Sequence, residues 1–255
     1  MSTDIEKIAK TLDEAVTTAK ATKQISLRTK LSLADAYAVQ SALVNHRFDR
    51  GERLIGVKMG LTSKAKALQM GVHDVIWGRL TDKMIVEDGG TLEFKKYVHP
   101  RIEPEIAFLL NRSLDWPVTA AQAEAAIEAV APAMEIIDSR YKNFKFSLTD
   151  VVADNASSSG FVLGPWQSVN TDLSNLGMIL EINGRPVQIG SSAAILGHPI
   201  RSLVSAVRLT SESGLRLEEG WIVMAGAATA AEELKPGMHV RNTVEKIGTV
   251  SLTVA

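Results

Sequence analysis

Glu103 and Glu105 stand two residues apart in Arg101-Ile-Glu-Pro-Glu-Ile-Ala-Phe-Leu-Leu110, a segment that otherwise reads as a buried strand. Side chains alternate along a strand, so both carboxylates point to one face and Ile102, Ile106 and Phe108 to the other. Two carboxylates held about 5 Å apart repel by roughly 3 kcal/mol at an effective dielectric near 20. Burial without compensation adds a solvation cost. A divalent cation removes both penalties, and hard oxygen donors suit Mg²⁺ or Mn²⁺. A single E-x-E on a strand is more often a solvated face of an antiparallel sheet. A second acid in apolar surroundings, Glu135 in Ala131-Pro-Ala-Met-Glu-Ile-Ile-Asp-Ser-Arg140, moves the balance toward a metal site.

Lys58 is the next candidate, placed between Val57 and Met59 in the apolar run Leu54–Gly60. It reads either as an edge-strand lysine reaching solvent or as a cation for a substrate carboxylate or carbonyl. Asp138-Ser-Arg140 and Val152-Ala-Asp-Asn-Ala-Ser-Ser158 are compact polar groups that end apolar runs. Asp154 and Asn155 are good turn-makers, and loops that carry sites have the same composition. His198, in Leu196-Gly-His-Pro199, precedes a helix signal, where capping explains it as well as catalysis does. The small residues of Ala225-Gly-Ala-Ala-Thr229 let a ligand approach the backbone, with Thr229 a candidate for holding a substrate carboxylate. The G-x-S-x-G elbow of serine hydrolases, the dinucleotide-binding G-x-G-x-x-G and the P-loop are all missing from the sequence.

The elements that must position these groups follow from periodicity. Ile5, Ile8, Leu12 and Val16 predict a helix over residues 4–20. Ser32 with Asp35 predicts a capping box opening a second helix that ends near Gly51. Residues 1–52 therefore read as an N-terminal helical region, and 53–255 as the catalytic domain. Leu54–Gly60 predicts a strand. Met84–Val86, the Asp88-Gly-Gly90 turn and Thr91–Phe94 predict a hairpin. Thr119 and Gln122 cap an Ala-rich helix expected to reach about Val130, followed by a short strand around Glu135. Asn183-Gly184 between Met178–Ile182 and Pro186–Ile189 predicts a type I′ hairpin. Pro199 suits the first helical position, and Trp221–Met224, Val240–Val244 and Thr249–Val254 predict closing strands. Many strands with few intervening helices imply a largely antiparallel or mixed β core with peripheral helices.

Bulk properties narrow the classes. A chain of 255 residues with 45% hydrophobic and 22% charged residues has the composition of a soluble globular protein. A net charge of −1 gives no reason to expect nucleic acid or an anionic membrane as partner. Without cysteine there is no thiolate nucleophile, disulfide or cysteine-ligated metal. The N-terminal residues lack the apolar core of a signal peptide, and a cytoplasmic location is expected.

Five motifs occur in order: Gly56-Val-Lys-Met-Gly-Leu-Thr-Ser63, His99-Pro-Arg-Ile-Glu-Pro-Glu-Ile106, Ile137–Phe146, Val152-Ala-Asp-Asn-Ala-Ser157 and Leu196-Gly-His-Pro199. Together they resemble the hydratase/decarboxylase family of meta-cleavage catabolism, within the fumarylacetoacetate hydrolase superfamily, over roughly residues 30 to 255. The resemblance implies an α+β fold, a mixed β-sandwich roll with a small N-terminal helical layer. It implies Glu103, Glu105 and Glu135 as Mg²⁺ (or Mn²⁺) ligands and Lys58 in the catalytic site. Implied substrate contacts are Leu61, Thr62, Ser63 and Ile76, and further along Arg140, Asp154, Asn155, Ser158 and Thr229. It also implies an acyclic 2-oxo dicarboxylate substrate, a homo-oligomer, and a complex with the hydratase of the same pathway.

The hydratases resemble one another in a P-D-[FY]-G segment, whose Asp suits proton handling. Here the stretch is His73-Asp-Val-Ile-Trp-Gly78, with Val75 in place of Pro, Ile76 in place of that Asp, and Asp74 two residues earlier. Ala225 and Ala227 also depart from a loop that more often carries a Thr or a second Gly. An apolar residue at 76 and the segment Asp138–Phe146 resemble the decarboxylases. The expected reaction is loss of CO₂ from 2-oxohex-3-enedioate to give 2-hydroxypenta-2,4-dienoate. The alternatives are dienoate hydration on the same scaffold, acylpyruvate-type C–C hydrolysis, or a non-catalytic partner subunit.

Overall fold

The computed structural model describes residues 4–63 and 74–255. His73 and the rest of 64–73 lie outside the described residues. The chain folds as helices α1 (Ile5–Thr18) and α2 (Leu33–Asp49), followed by two mixed sheets with short helices at their margins. Asp4 caps α1, and Ser32 with Asp35 closes the expected capping box on α2. Ile8 and Leu12 of α1 and Val39 and Leu43 of α2 share one apolar cluster with Ile76, Tyr141, Val151 and Val152. The helices therefore back the wall of the site.

The larger sheet runs in the order β2 (Ile76–Thr81), β1 (Leu54–Gly60), β11 (Ile222–Met224), β5 (Arg101–Leu110), β6 (Ile127–Ile137), β7 (Ser158–Leu163) and β3 (Ile85–Val86). Two short strands add to it: β12 (Glu232–Glu233) on β5 and β8 (Gln167–Ser168) on β6. The smaller sheet is β10 (Arg185–Ser191), β9 (Gly177–Ile182), β13 (His239–Val244), β14 (Gly248–Val254) and β4 (Thr91–Leu92). Between the sheets, Ile102, Met134, Ile136, Leu180, Val240 and Leu252 form a buried cluster. This is the mixed α+β architecture expected.

Pro104 and Pro132 sit in the middle of the two longest strands, where proline normally breaks a ladder. Their carbonyls accept from Ala228 N and Gly164 N. The N and C=O of one strand residue point to the same side, so each proline nitrogen faces a gap: that between β11 and β12, or between β7 and β8. Neither gap needs a donor there.

Three expectations need correction. Residues 84–94 do not form a hairpin, because β3 pairs with β7 in one sheet and β4 with β14 in the other, both in parallel. The Asp88-Gly-Gly90 turn instead carries the chain between sheets. Helix α3 (Ala120–Ala125) has the expected Thr119/Gln122 box but stops well short of Val130. The Glu135 strand is correspondingly long, since Ile127 onward pairs with β5. The Asn183-Gly184 hairpin forms as expected, both residues with positive φ; α4 (Leu148–Ala153) opens on a Ser147/Asp150 capping box, and Pro199 opens α5 (Pro199–Glu212).

Candidate active site

β5 and β6 pair antiparallel with Glu103 directly opposite Glu135. Glu105, two residues on, shares the face of Glu103, and ligand oxygens of all three carboxylates lie within 4.8 Å of one another. Glu105 and Glu135 are fully buried and Glu103 nearly so. Lys58, on β1, reaches the cluster and donates to Glu135 Oε2 at 3.0 Å while itself only 3% exposed. The edge-strand reading of Lys58 is thereby replaced, since β1 lies inside the sheet between β2 and β11.

The loop bridging the gap beside Pro104 supplies the remaining support. Gly226 N donates to Glu105 Oε2 at 2.8 Å, from a backbone at φ +103°. A Cβ on Gly226 would lie 2.3 Å from Thr62 Oγ1, so glycine is required by both conformation and space. Gly226→Ala should lower Tm by several degrees and weaken metal affinity about tenfold through Glu105. Calorimetry of the metal-free and Mg²⁺-loaded forms checks this, and an unchanged metal affinity would separate Gly226 from the site.

Burial first, then the neighbouring Glu135 and Glu103 carboxylates, push the Glu105 carboxyl well above its usual range. Burial also raises Glu135, against the pull of the Lys58 ammonium. Glu105 Oε1 and Glu135 Oε1 are buried without a hydrogen-bond partner. Buried acceptors left in this way are costly. Three carboxylates and one ammonium leave two negative charges if all ionise. The donor set is all hard oxygen, and orphaned oxygens converge. These residues fit a divalent cation such as Mg²⁺ or Mn²⁺.

The cluster opens on a cleft of about 330 Å³. Its polar lining includes Lys58, Glu103 and Arg101, and its apolar walls include Leu61, Ile76, Ile137, Phe144 and Phe146. A model described as fumarylacetoacetate (FAA) hydrolase, C-terminal, matches residues 55–255.

The chain belongs to the fumarylacetoacetate hydrolase family.

Within that family it is 55% identical over 249 residues to a 4-oxalocrotonate decarboxylase from Pseudomonas sp, covering 98% of this chain and 97% of that one. A solved structure of 4-oxalocrotonate decarboxylase from Pseudomonas putida G7, complexed with magnesium and adipate, superposes with TM-score 0.97 at 37% identity. That match covers 100% of this chain and 99% of the other. A 2-keto-4-pentenoate hydratase from Paraburkholderia xenovorans (strain LB400) is 37% identical over 86% of this chain and 83% of its own.

In this family member the other expected contacts divide by position. Leu61 and Ile76 line the cleft, Leu61 from a left-handed backbone at φ +58°. Thr62 is buried, its carbonyl accepting from Leu196 N and its side chain against Gly226. Ser63 is half-buried at the end of the described stretch. Arg140 and Asp154 form a buried ion pair, and Arg140 also donates to the Ser159 hydroxyl and the Asp154 carbonyl. The Asn155 side chain brackets Arg79, accepting from its N–H and donating to its carbonyl. Ser158 is buried, its hydroxyl among the buried polar groups without a hydrogen-bond partner. Thr229 turns its hydroxyl to the Ala230 carbonyl and its methyl toward Gly190. Thr62, Ser63, Arg140, Asp154, Asn155, Ser158 and Thr229 are thus not among the residues lining the cleft. They lie behind or beside it.

His198 caps α5, its Nδ1 accepting from Ile200 N. Asp74 is held by Arg208 at the surface. Sequence reasoning missed Arg101, Phe144, Phe146 and Ser157, all on the cleft. Arg101 carried a usable signal, two positions before Glu103 on the same strand face.

No helix among the described residues is long and apolar enough to cross a membrane.

Proposed function

We propose that this protein decarboxylates 2-oxohex-3-enedioate to 2-hydroxypenta-2,4-dienoate in meta-cleavage catabolism, with Glu103, Glu105 and Glu135 holding the metal. One observation carries the reading: a buried three-carboxylate cluster opens on a cleft walled by Ile76 and other apolar side chains. The full-length likeness to decarboxylases supports it over the weaker likeness to hydratases.

The substrate is a vinylogous β-keto acid. Breaking its C5–C6 bond releases CO₂, and the electron pair runs through C4=C3 to the C2 oxygen, leaving a dienolate. A divalent cation, when bound, supplies Lewis-acid stabilisation where that negative charge develops. Lys58 adds a fixed positive charge on the same side, and its contact with Glu135 keeps it oriented. Ile76, Leu61 and Phe146 exclude water from the reacting chain. An aspartate at 76 would repel the leaving carboxylate and bring water into that wall.

Ile76→Asp should therefore lower the rate of CO₂ release by roughly two orders of magnitude while metal affinity holds. An unchanged rate would remove position 76 from the mechanism. The deciding assay follows CO₂ release from 2-oxohex-3-enedioate by metal-stripped protein, before and after Mg²⁺, with 2-hydroxypenta-2,4-dienoate as parallel substrate. Metal-dependent CO₂ release without hydration supports the proposal. Hydration without CO₂ would make the chain a hydratase. The reading extends to a homo-oligomer in the cytoplasm that meets its pathway hydratase; the oligomer and the hydratase contact are drawn from the family resemblance.

A further inference from the structure

Arg101 has no assigned task, yet its placement is closely controlled. It precedes Glu103 by two residues on β5, so its side chain leaves the same face of the strand as Glu103 and Glu105. It lines the same cleft. Of the cations on that lining, Lys58 is committed to Glu135, within the carboxylate cluster. Arg101 is held from outside instead. Glu233, its register partner on β12, accepts from Nη2 at 3.1 Å and is itself mostly exposed. That bond engages one of five guanidinium N–H donors.

The plane of the guanidinium is fixed by an aromatic floor. Its central carbon lies 4.1 Å from the centroid of Phe144, and Phe144 packs in turn on His99 and Phe146 at 5.2 and 5.6 Å. Phe144 reaches this position from a strained turn in which both Asn143 and Phe144 have left-handed backbones, φ 60° and 55°. Non-glycine residues rarely adopt that conformation in succession, and such strain gathers where a side chain must be aimed. Glu233 and Phe144 together leave a pre-oriented guanidinium edge, the geometry that binds a carboxylate through two parallel hydrogen bonds.

Placement points to the ligand. Arg101 and the two glutamates leave one strand face side by side, i and i+2 about 6.6 Å apart along the backbone. Arg101 and Glu103 line one cleft, so a single extended diacid can run from the glutamate cluster to the guanidinium. A 2-oxo acid whose first carboxylate lies at the glutamate cluster would extend its far end to Arg101. We infer that Arg101 is the specificity-determining residue of this site, docking the distal carboxylate of a dicarboxylate substrate on a guanidinium held by Glu233 and Phe144. The inference rests on the function proposed above.

Arginine here grips the group that later leaves as CO₂. Such a grip binds substrate and an early transition state, in which the leaving carboxylate still carries most of its charge, about equally, so it should act in KM and little in kcat. The test uses full-length, Mg²⁺-loaded protein and calorimetric titration with adipate and with hexanoate, which differ by one carboxylate. Wild type should prefer adipate by tenfold or more. Arg101→Met should bring that ratio to near one, raise KM at least tenfold and leave kcat within about threefold. Glu233→Gln keeps the guanidinium and should keep the preference, which separates docking from damage to the strand pair.

An adipate preference that survives Arg101→Met, or a fall in kcat with KM unchanged, overturns the inference. Arg101→Met protein that no longer binds Mg²⁺ shifts the decision to Arg101→Lys. Lysine keeps the charge but not the fork, so a preference reduced severalfold supports the inference and an intact one overturns it. The function fails separately: wild type that releases no CO₂ yet shows an Arg101-dependent adipate preference would keep this docking role and discard the reaction.

Discussion

Glu105→Gln protein should release CO₂ roughly a thousandfold more slowly than wild type, a loss of about 4 kcal/mol at the transition state. Gln keeps the shape and can still accept from Gly226 N, so the fold is retained while one anionic ligand is lost. Mg²⁺ titration should show affinity falling by two orders of magnitude or more, and wild-type affinity in the variant would refute the ligand set. The same substitution has an opposite effect on the metal-free chain. Burial and two neighbouring carboxylates raise the Glu105 carboxyl in the folded state above its unfolded value. A group of this kind binds its proton more tightly when folded, so its stabilising effect is present at low pH. It is lost as pH rises from the ordinary glutamate range, near 4.3, through the raised folded value. The Tm of metal-free wild type should therefore fall across that window, Mg²⁺ should restore it, and Glu105→Gln should flatten the decline. Parallel profiles for wild type and variant would sink this account of the cluster.

Lys58→Met should separate metal binding from chemistry. Removing the ammonium leaves Glu135 buried with no cation beside it, and breaking a buried pair in this way costs about 3–5 kcal/mol. In the Mg²⁺-loaded protein the bound ion replaces much of that charge, so folding should recover and metal affinity should stay within about tenfold. CO₂ release should still fall by roughly a thousandfold, because the second positive charge near the developing dienolate is gone. Equal losses of Mg²⁺ affinity and rate would instead reduce Lys58 to a support for Glu135.

The carboxylate cluster was legible because strand alternation is a local rule. Glu103 and Glu105 had to share a face wherever their strand lay. The pairing that places Glu135 opposite Glu103 was not legible, since register depends on which strands meet. The false hairpin at 84–94 has the same origin. A Gly-Gly turn records a reversal of the chain, not whether the flanking segments share a sheet, and here they do not. Over 120–137, Ala-rich sequence favours helix locally, and pairing with β5 overrides it from Ile127 onward. Arg140, Asp154 and Asn155 read as site residues because polar groups beside strands mark loops that bind ligands. Their partners prove to be one another and the Arg79 backbone. That pairing is three-dimensional, and composition does not encode it.

The Asn155 bracket on Arg79 reaches beyond the site. β2 is the last strand of its sheet, and an outermost strand offers unpaired N–H and C=O groups to any extended segment that drifts past. The amide of Asn155 takes the Arg79 donor and acceptor at once, as a neighbouring strand would, but it is a side chain and cannot be extended into a further row. The sheet is thus terminated by a counterfeit strand one residue long. With every residue of β2 buried and Gln40 donating to the Trp77 carbonyl beside it, that stop closes the β2 edge inside the fold, where no extended segment of another molecule can add to it.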